Sequence, residues 1–146
     1  MSIAITDDHR ALADTAADFL TKRDARADAR ALLESPDEAL PSWWGELAGL
    51  GWLGLHLPED QGGSGYSLEE LVVVLELFGR AVAPGPFVPT VITSAVLAAV
   101  GGEAADAHLP GLADGSVIGS VALAGDVTLT DGTVSGNAGN VLAGGL

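Results

Sequence analysis

The chain has 146 residues, 48% of them hydrophobic, with six Lys and Arg against 20 Asp and Glu and a net charge of −14. That apolar content excludes wholesale disorder, and the charge turns away nucleic acid and anionic membranes, leaving any phosphorylated ligand in need of a local basic patch. The absence of cysteine excludes disulfides, thiolate metal sites and thiol catalysis.

The start, MSIAITDDHR, has neither a basic n-region nor an apolar h-region, so no export signal is read and a soluble cytoplasmic protein is expected. Thr6 is positioned to cap a first helix, with Asp7 and Asp8 in the turn where the helix dipole favours acids. Leu12, Ala16, Phe19 and Leu20 then form one apolar stripe. The polar KRDARADAR run (22–30) extends this helix as an exposed arm. Five of the six bases lie in the first 30 positions, interleaved with acids, which reads as a solvated face rather than a phosphate site. Ser35-Pro36-Asp37-Glu38 is a second start signal, with a cap, a proline at the first helical position and a capping-box acid. A short helix through SWWGELAGL (42–50) should stop at Gly49 or Gly51. Trp43, Trp44 and Trp52 crowd this region as core or interface anchors.

Next comes LPEDQGGSGYSLEE (57–70), whose glycines invite a phosphate-loop reading. No lysine follows them, as a P-loop requires, and the G-x-G-x-x-G spacing of a dinucleotide loop is missing. Ser67 and Glu70 form a capping box that occupies the free N–H groups of the next helix. The expected role is a turn whose glycines supply close packing and positive φ. The helix after it is apolar nearly all round, so it is expected to be central and buried. The 22 uncharged residues from 81 to 102 could nominally span a membrane, but Pro84, Gly85, Pro86 and Pro89 break the first half. A helix over roughly 90–100 remains, then a weak one over 103–109 ending at Pro110. From 116 the pattern changes. SVIGSVALA (116–124) and DVTLTDGTVSG (126–136) are β-branched, and Asp131-Gly132 is a strong hairpin signal. Two or three strands need covering partners, so the expectation is a piece of something longer.

Chemistry-bearing residues are sparse. His9, His56 and His108 lack metal-ligand spacing, Ser64 is not in a nucleophile elbow, and adjacent Glu59 and Asp60 cannot straddle a substrate bond. No metal site and no catalytic residue are expected in this chain.

The order of parts is specific. LAGLGWLGLHLPEDQGGSGYSLEELVVVLELFGRA (47–81) resembles the N-terminal helical domain of acyl-CoA dehydrogenases, with its L-G-W-x-G-x-x-x-P-E-x-x-G-G-x-G phrase. HLPGLADGSVIGSVAL (108–123) is similar to that family's transition phrase into the β domain. The resemblance implies a mainly α fold, with an acyl-CoA dehydrogenase-like helical domain over 1–115 and the first strands of a truncated middle β domain over 116–146. It implies FAD between the middle and C-terminal domains of the intact enzyme. It also implies an acyl-CoA substrate, homo- or hetero-oligomeric subunits, an electron-transfer acceptor, and no membrane insertion or nucleic acid. In the family a C-terminal glutamate takes the α-proton while the β-hydrogen leaves as hydride to flavin. Two departures stand out. Where flavin-binding members continue T-E-P-x-x-G-S-D, this chain reads AGDVTLTDG (124–132), so FAD is not expected to bind this half in the usual way. That resembles the flavin-poor partner of heteromeric, sterol-degrading actinobacterial dehydrogenases, or one half of a fused version. APGPFVPT (83–90) would shorten the helix beside the acyl pocket, leaving room for a bulky, steroid-like acyl group lined by Val88 and Ile92. The alternative is that both are ordinary core residues. A non-catalytic structural subunit and a flavin monooxygenase on the same fold are the competing functions.

Overall fold

The computed structural model describes residues 5–34 and 39–146. The start signal at Ser35-Pro36-Asp37-Glu38 lies outside the described residues. Among the described residues six helices precede one hairpin. They are α1 (Asp7–Lys22), α2 (Ala25–Leu32), α3 (Trp44–Gly49), α4 (Leu68–Ala81), α5 (Phe87–Val100) and α6 (Glu103–Ala113), and the strands are β1 (Asp126–Thr130) and β2 (Thr133–Asn137). Short 3₁₀ turns at Trp52–Gly54 and Glu59–Gln61 connect α3 to α4.

The frame is the α1–α4 pair. The Thr6 hydroxyl accepts from the His9 N–H at 3.1 Å, and Ser67 accepts from the Glu69 N–H at 3.0 Å, capping both helices. The two starts touch through His9 and Glu70, and the far ends meet where Leu20 and Ala25 face Leu77 and Ala81, so the helices run parallel. Acids therefore cluster at the shared N-terminal end (Asp7, Asp8, Glu69, Glu70) and Lys22 and Arg80 occupy the last turns, as the helix dipoles favour. The 22–30 run is not one arm. Asp24 takes a left-handed conformation (φ 48°) that ends α1, and α2 begins at Ala25.

The aromatic residues form the centre. Phe19 meets Trp43 and Trp52 edge-on at 5.8 and 5.5 Å, and Phe78 stacks on Phe87 at 4.5 Å. Both flanking indoles find acceptors, Trp43 Nε1 at Asp28 Oδ2 (2.8 Å) and Trp44 Nε1 at the Gly115 carbonyl (3.1 Å). The expected tryptophan core is present. A smaller cluster of Leu57, Ala105, Leu109, Leu112 and Ala113 joins α6 to the glycine turn.

Four expectations fail for identifiable reasons. α4 is not buried all round: Leu71, Val74 and Phe78 face the core, while Leu68, Val72 and the following Val82 are exposed. α5 begins at Phe87, so Pro89 sits in the first turn, where a missing N–H costs no helical bond. The helix that the resemblance sets beside the acyl pocket is therefore not interrupted, and a wider cavity does not follow from its prolines. α6 runs through Pro110 to Ala113, because Leu109, Leu112 and Ala113 are buried and hold one more turn in place. Residues 116–124 form no strand. Without a ladder partner their β-branched composition is not enough, and Gly119 packs on α5 instead. The hairpin itself is as expected, with Asp131 and Gly132 at φ 51° and 75°, the two positive values of a type I′ turn.

Candidate functional site

The glycine turn has no amide left for a phosphate. The N–H groups of Gly62, Gly63, Ser64 and Gly65 donate to the carbonyls of Glu59, Pro58, Gly54 and Leu57 at 2.9 to 3.1 Å. At the α4 start, the Glu70 carboxylate accepts from the Ser67 N–H at 2.9 Å and hydroxyl at 2.6 Å. Gly62 and Gly65 have φ 84° and 69°, and Gly63 is a close-approach position. The turn is architecture.

Above it lies a groove of about 630 Å³ between α1, the turn and the start of α4, with His9, Leu12, Trp52, Leu55, Tyr66 and Glu70 in its wall. The Thr6 N–H donates to His9 Nδ1 at 3.3 Å, so the ring proton sits on Nε2 and donates to Glu70 Oε1 at 3.1 Å. Two capping boxes are thereby tied together through their third helical residues. The Thr6–His9 spacing of three was the only sequence signal for this. Its link to Glu70, 61 positions away, had none.

Hydrogen bonds from Ser67 first, and from His9 among the lesser causes, lower the Glu70 pKa from 4.5 to about 2. A carboxylate whose folded pKa is depressed contributes stability that is complete above about pH 4.5 and lost as pH falls towards 2. Glu70→Ala should cost about 1 kcal/mol at neutral pH, the ordinary worth of a cap. It should also flatten the thermal-midpoint profile between those two pH values. A parallel profile for parent and variant would remove Glu70 from acid unfolding.

Among the described residues no group of three or more His, Asp or Glu is placed to hold a metal, and no helix is long and apolar enough to cross a membrane. α5 carries the residues singled out for the acyl pocket. Val88 is 43% exposed and Ile92 half-buried, on one outward band that continues to exposed Val96 and Val100. Val88 is therefore not a core residue of the described chain. The inward face holds Phe87, Thr90, Val91 and Ser94. Ser94 Oγ lies 3.2 Å from His56 Nε2, and burial lowers the His56 pKa from its ordinary value. Sequence reading passed over Thr90 and Ser94, because two hydroxyls in an apolar run look incidental, and weighed His56 only as a metal ligand.

The family model described as "Acyl-CoA dehydrogenase, N-terminal domain" matches residues 6–116. The chain is 38% identical over 101 residues to acyl-CoA dehydrogenase FadE34 of Mycobacterium tuberculosis, covering 67% of this chain and 13% of that protein. It is 32% identical over 118 residues to acyl-CoA dehydrogenase IpdE2 of Mycolicibacterium smegmatis, covering 80% of this chain and 37% of that one. Among solved structures, a variant of the Tcur3481-Tcur3483 steroid ACAD superposes with a TM-score of 0.69 at 36% identity, over 79% of this chain and 32% of its own. The chain thus spans well under half the length of these relatives.

Proposed function

Because this chain belongs to the acyl-CoA dehydrogenase family, we propose that it forms the N-terminal share of an enzyme that removes hydrogen from Cα and Cβ of an acyl-CoA thioester. Residues 1–115 are its helical domain and 116–146 open the middle β domain. The observation that carries the site is the outward band of α5, where Val88, Ile92 and Val96 make an uncharged wall suited to an acyl group. The steroid ACAD named among the structural neighbours supports a bulky acyl group for this chain too.

The described residues do not fit FAD. From the end of the transition phrase to β1 run Ala122, Leu123, Ala124 and Gly125, with no side-chain donor, and the amides of the glycine turn are consumed. FAD and the base that takes the α-proton are therefore assigned to other parts of the intact enzyme or to a partner subunit in a hetero-oligomer, which passes electrons to an external acceptor. This chain's part is to bind and orient the acyl group and to exclude water along α5. The same lack of flavin-holding groups favours a second reading, a structural subunit without a substrate contact.

Substitution separates the two. Val88→Trp and Ile92→Trp should each lower kcat/KM for a bulky acyl-CoA by about tenfold or more, with little change for a short one. Equal losses on both substrates would take the band out of the acyl path and leave the structural-subunit reading.

A further inference from the structure

α5 buries what a surface helix ordinarily exposes. Thr90 and Ser94 are wholly buried, while Val88, Val96 and Val100 are 43%, 49% and 78% exposed. The helix has no charged residue and carries apolar side chains on every face, so hydrophobic patterning alone selects weakly which face turns inward. Phe87 and Val91 pack into the core, and polar contacts on the same face add to them.

We propose that Thr90 and Ser94 form a polar register clamp that fixes the rotation of α5, with His56 and the Gly119 amide as its counterparts. Thr90 Oγ1 accepts from the Gly119 N–H at 3.2 Å. Ser94 Oγ donates to the Val91 carbonyl at 3.0 Å, so its lone pair is left to accept from His56 Nε2–H at 3.2 Å. Burial favours the neutral imidazole that this arrangement uses. Thr93, the remaining hydroxyl, donates to the Pro89 carbonyl at 2.8 Å within the helix. Turning α5 by one residue, about 100°, would carry both clamp hydroxyls away from the buried Gly119 amide and the part-buried His56 Nε2. Gly119 also holds the linker close, since a Cβ there would lie 2.6 Å from Thr93 Cβ. A clamped α5 presents Val88, Ile92 and Val96 outward together. Resting on the acyl-wall reading above, Thr90, Ser94, His56 and Gly119 are positioning residues for acyl selectivity.

The chain has no cysteine, so single introduced thiols report on each face. In the intact protein, Val96→Cys should react with a small thiol reagent about tenfold or more faster than Val91→Cys, whose modification requires local opening. Adding Thr90→Val and Ser94→Ala should bring the two rates together, and Ser94→Ala alone should do so in part if the double change does not fold. Thr90→Ser, which keeps the hydroxyl, should preserve the difference. Rates that stay apart without the hydroxyls, or that merge equally in Thr90→Ser, overturn the clamp. Selectivity between bulky and short acyl-CoAs is measured on the same variants. Merged thiol rates with unchanged selectivity keep the clamp and sink only the acyl-wall reading.

Discussion

Gly63→Ala is expected to destabilise the fold by about 3 kcal/mol or more, because the added carbon meets backbone rather than a movable side chain. A Cβ at Gly63 would lie 2.1 Å from the Leu57 carbonyl oxygen and 2.4 Å from Leu57 Cβ. Leu57 cannot give way, being 1% exposed and packed with Leu109 and Leu112 in the second core cluster. If the turn swings out instead, it loses the Gly63 bond to Pro58 and the Ser64 bond to Gly54, both 3.0 Å. In thermal unfolding this corresponds to a midpoint lower by roughly 10 °C for a chain of this size. Gly79→Ala is the control. A Cβ added there within α4 would meet no atom within 4 Å outside the helix's own backbone, so alanine should raise stability by about 0.5–1 kcal/mol. Equal midpoints for the Gly63 variant and the parent would refute the close-approach role of the turn.

Trp43→Ala is the second large effect, about 3–5 kcal/mol. The indole is 2% exposed and sits between Phe19 and Phe78, with edge contacts at 5.8 and 6.4 Å, so its removal opens a cavity where α1, α3 and α4 meet. Trp43→Phe keeps most of the volume and loses the bond to Asp28, and should cost about 1–2 kcal/mol. Urea unfolding of both variants checks the order. A Phe variant as damaged as the Ala variant would place the energy in the Asp28 bond rather than in packing.

What could be read in advance was local. Thr6 and Ser67 announced their helices because a cap acts across three residues, and Asp131-Gly132 announced the hairpin because both positions need positive φ. What escaped depends on distant neighbours. Pro110 stays inside α6 because Leu57 and the glycine turn pack against that helix, and 116–124 is no strand because no partner lies beside it. α4 looked central by composition, yet its packing partner α1 covers one side only, leaving Leu68 and Val72 exposed. The candidate site was half legible. The spacing of Val88 and Ile92 puts them on one band, but an uncharged helix gives no sign of which face is inward. That rotation shows only in the folded chain, in the stacking of Phe87 on Phe78 and in the pairings of Thr90 with Gly119 and of Ser94 with His56.

The most direct measurement is mass analysis of an acyl-CoA incubated with the intact protein, its accompanying subunits and a dye acceptor. The proposal predicts an enoyl-CoA two hydrogens lighter than the substrate, formed in step with dye reduction. An unchanged thioester, or a product that has gained oxygen, would contradict it.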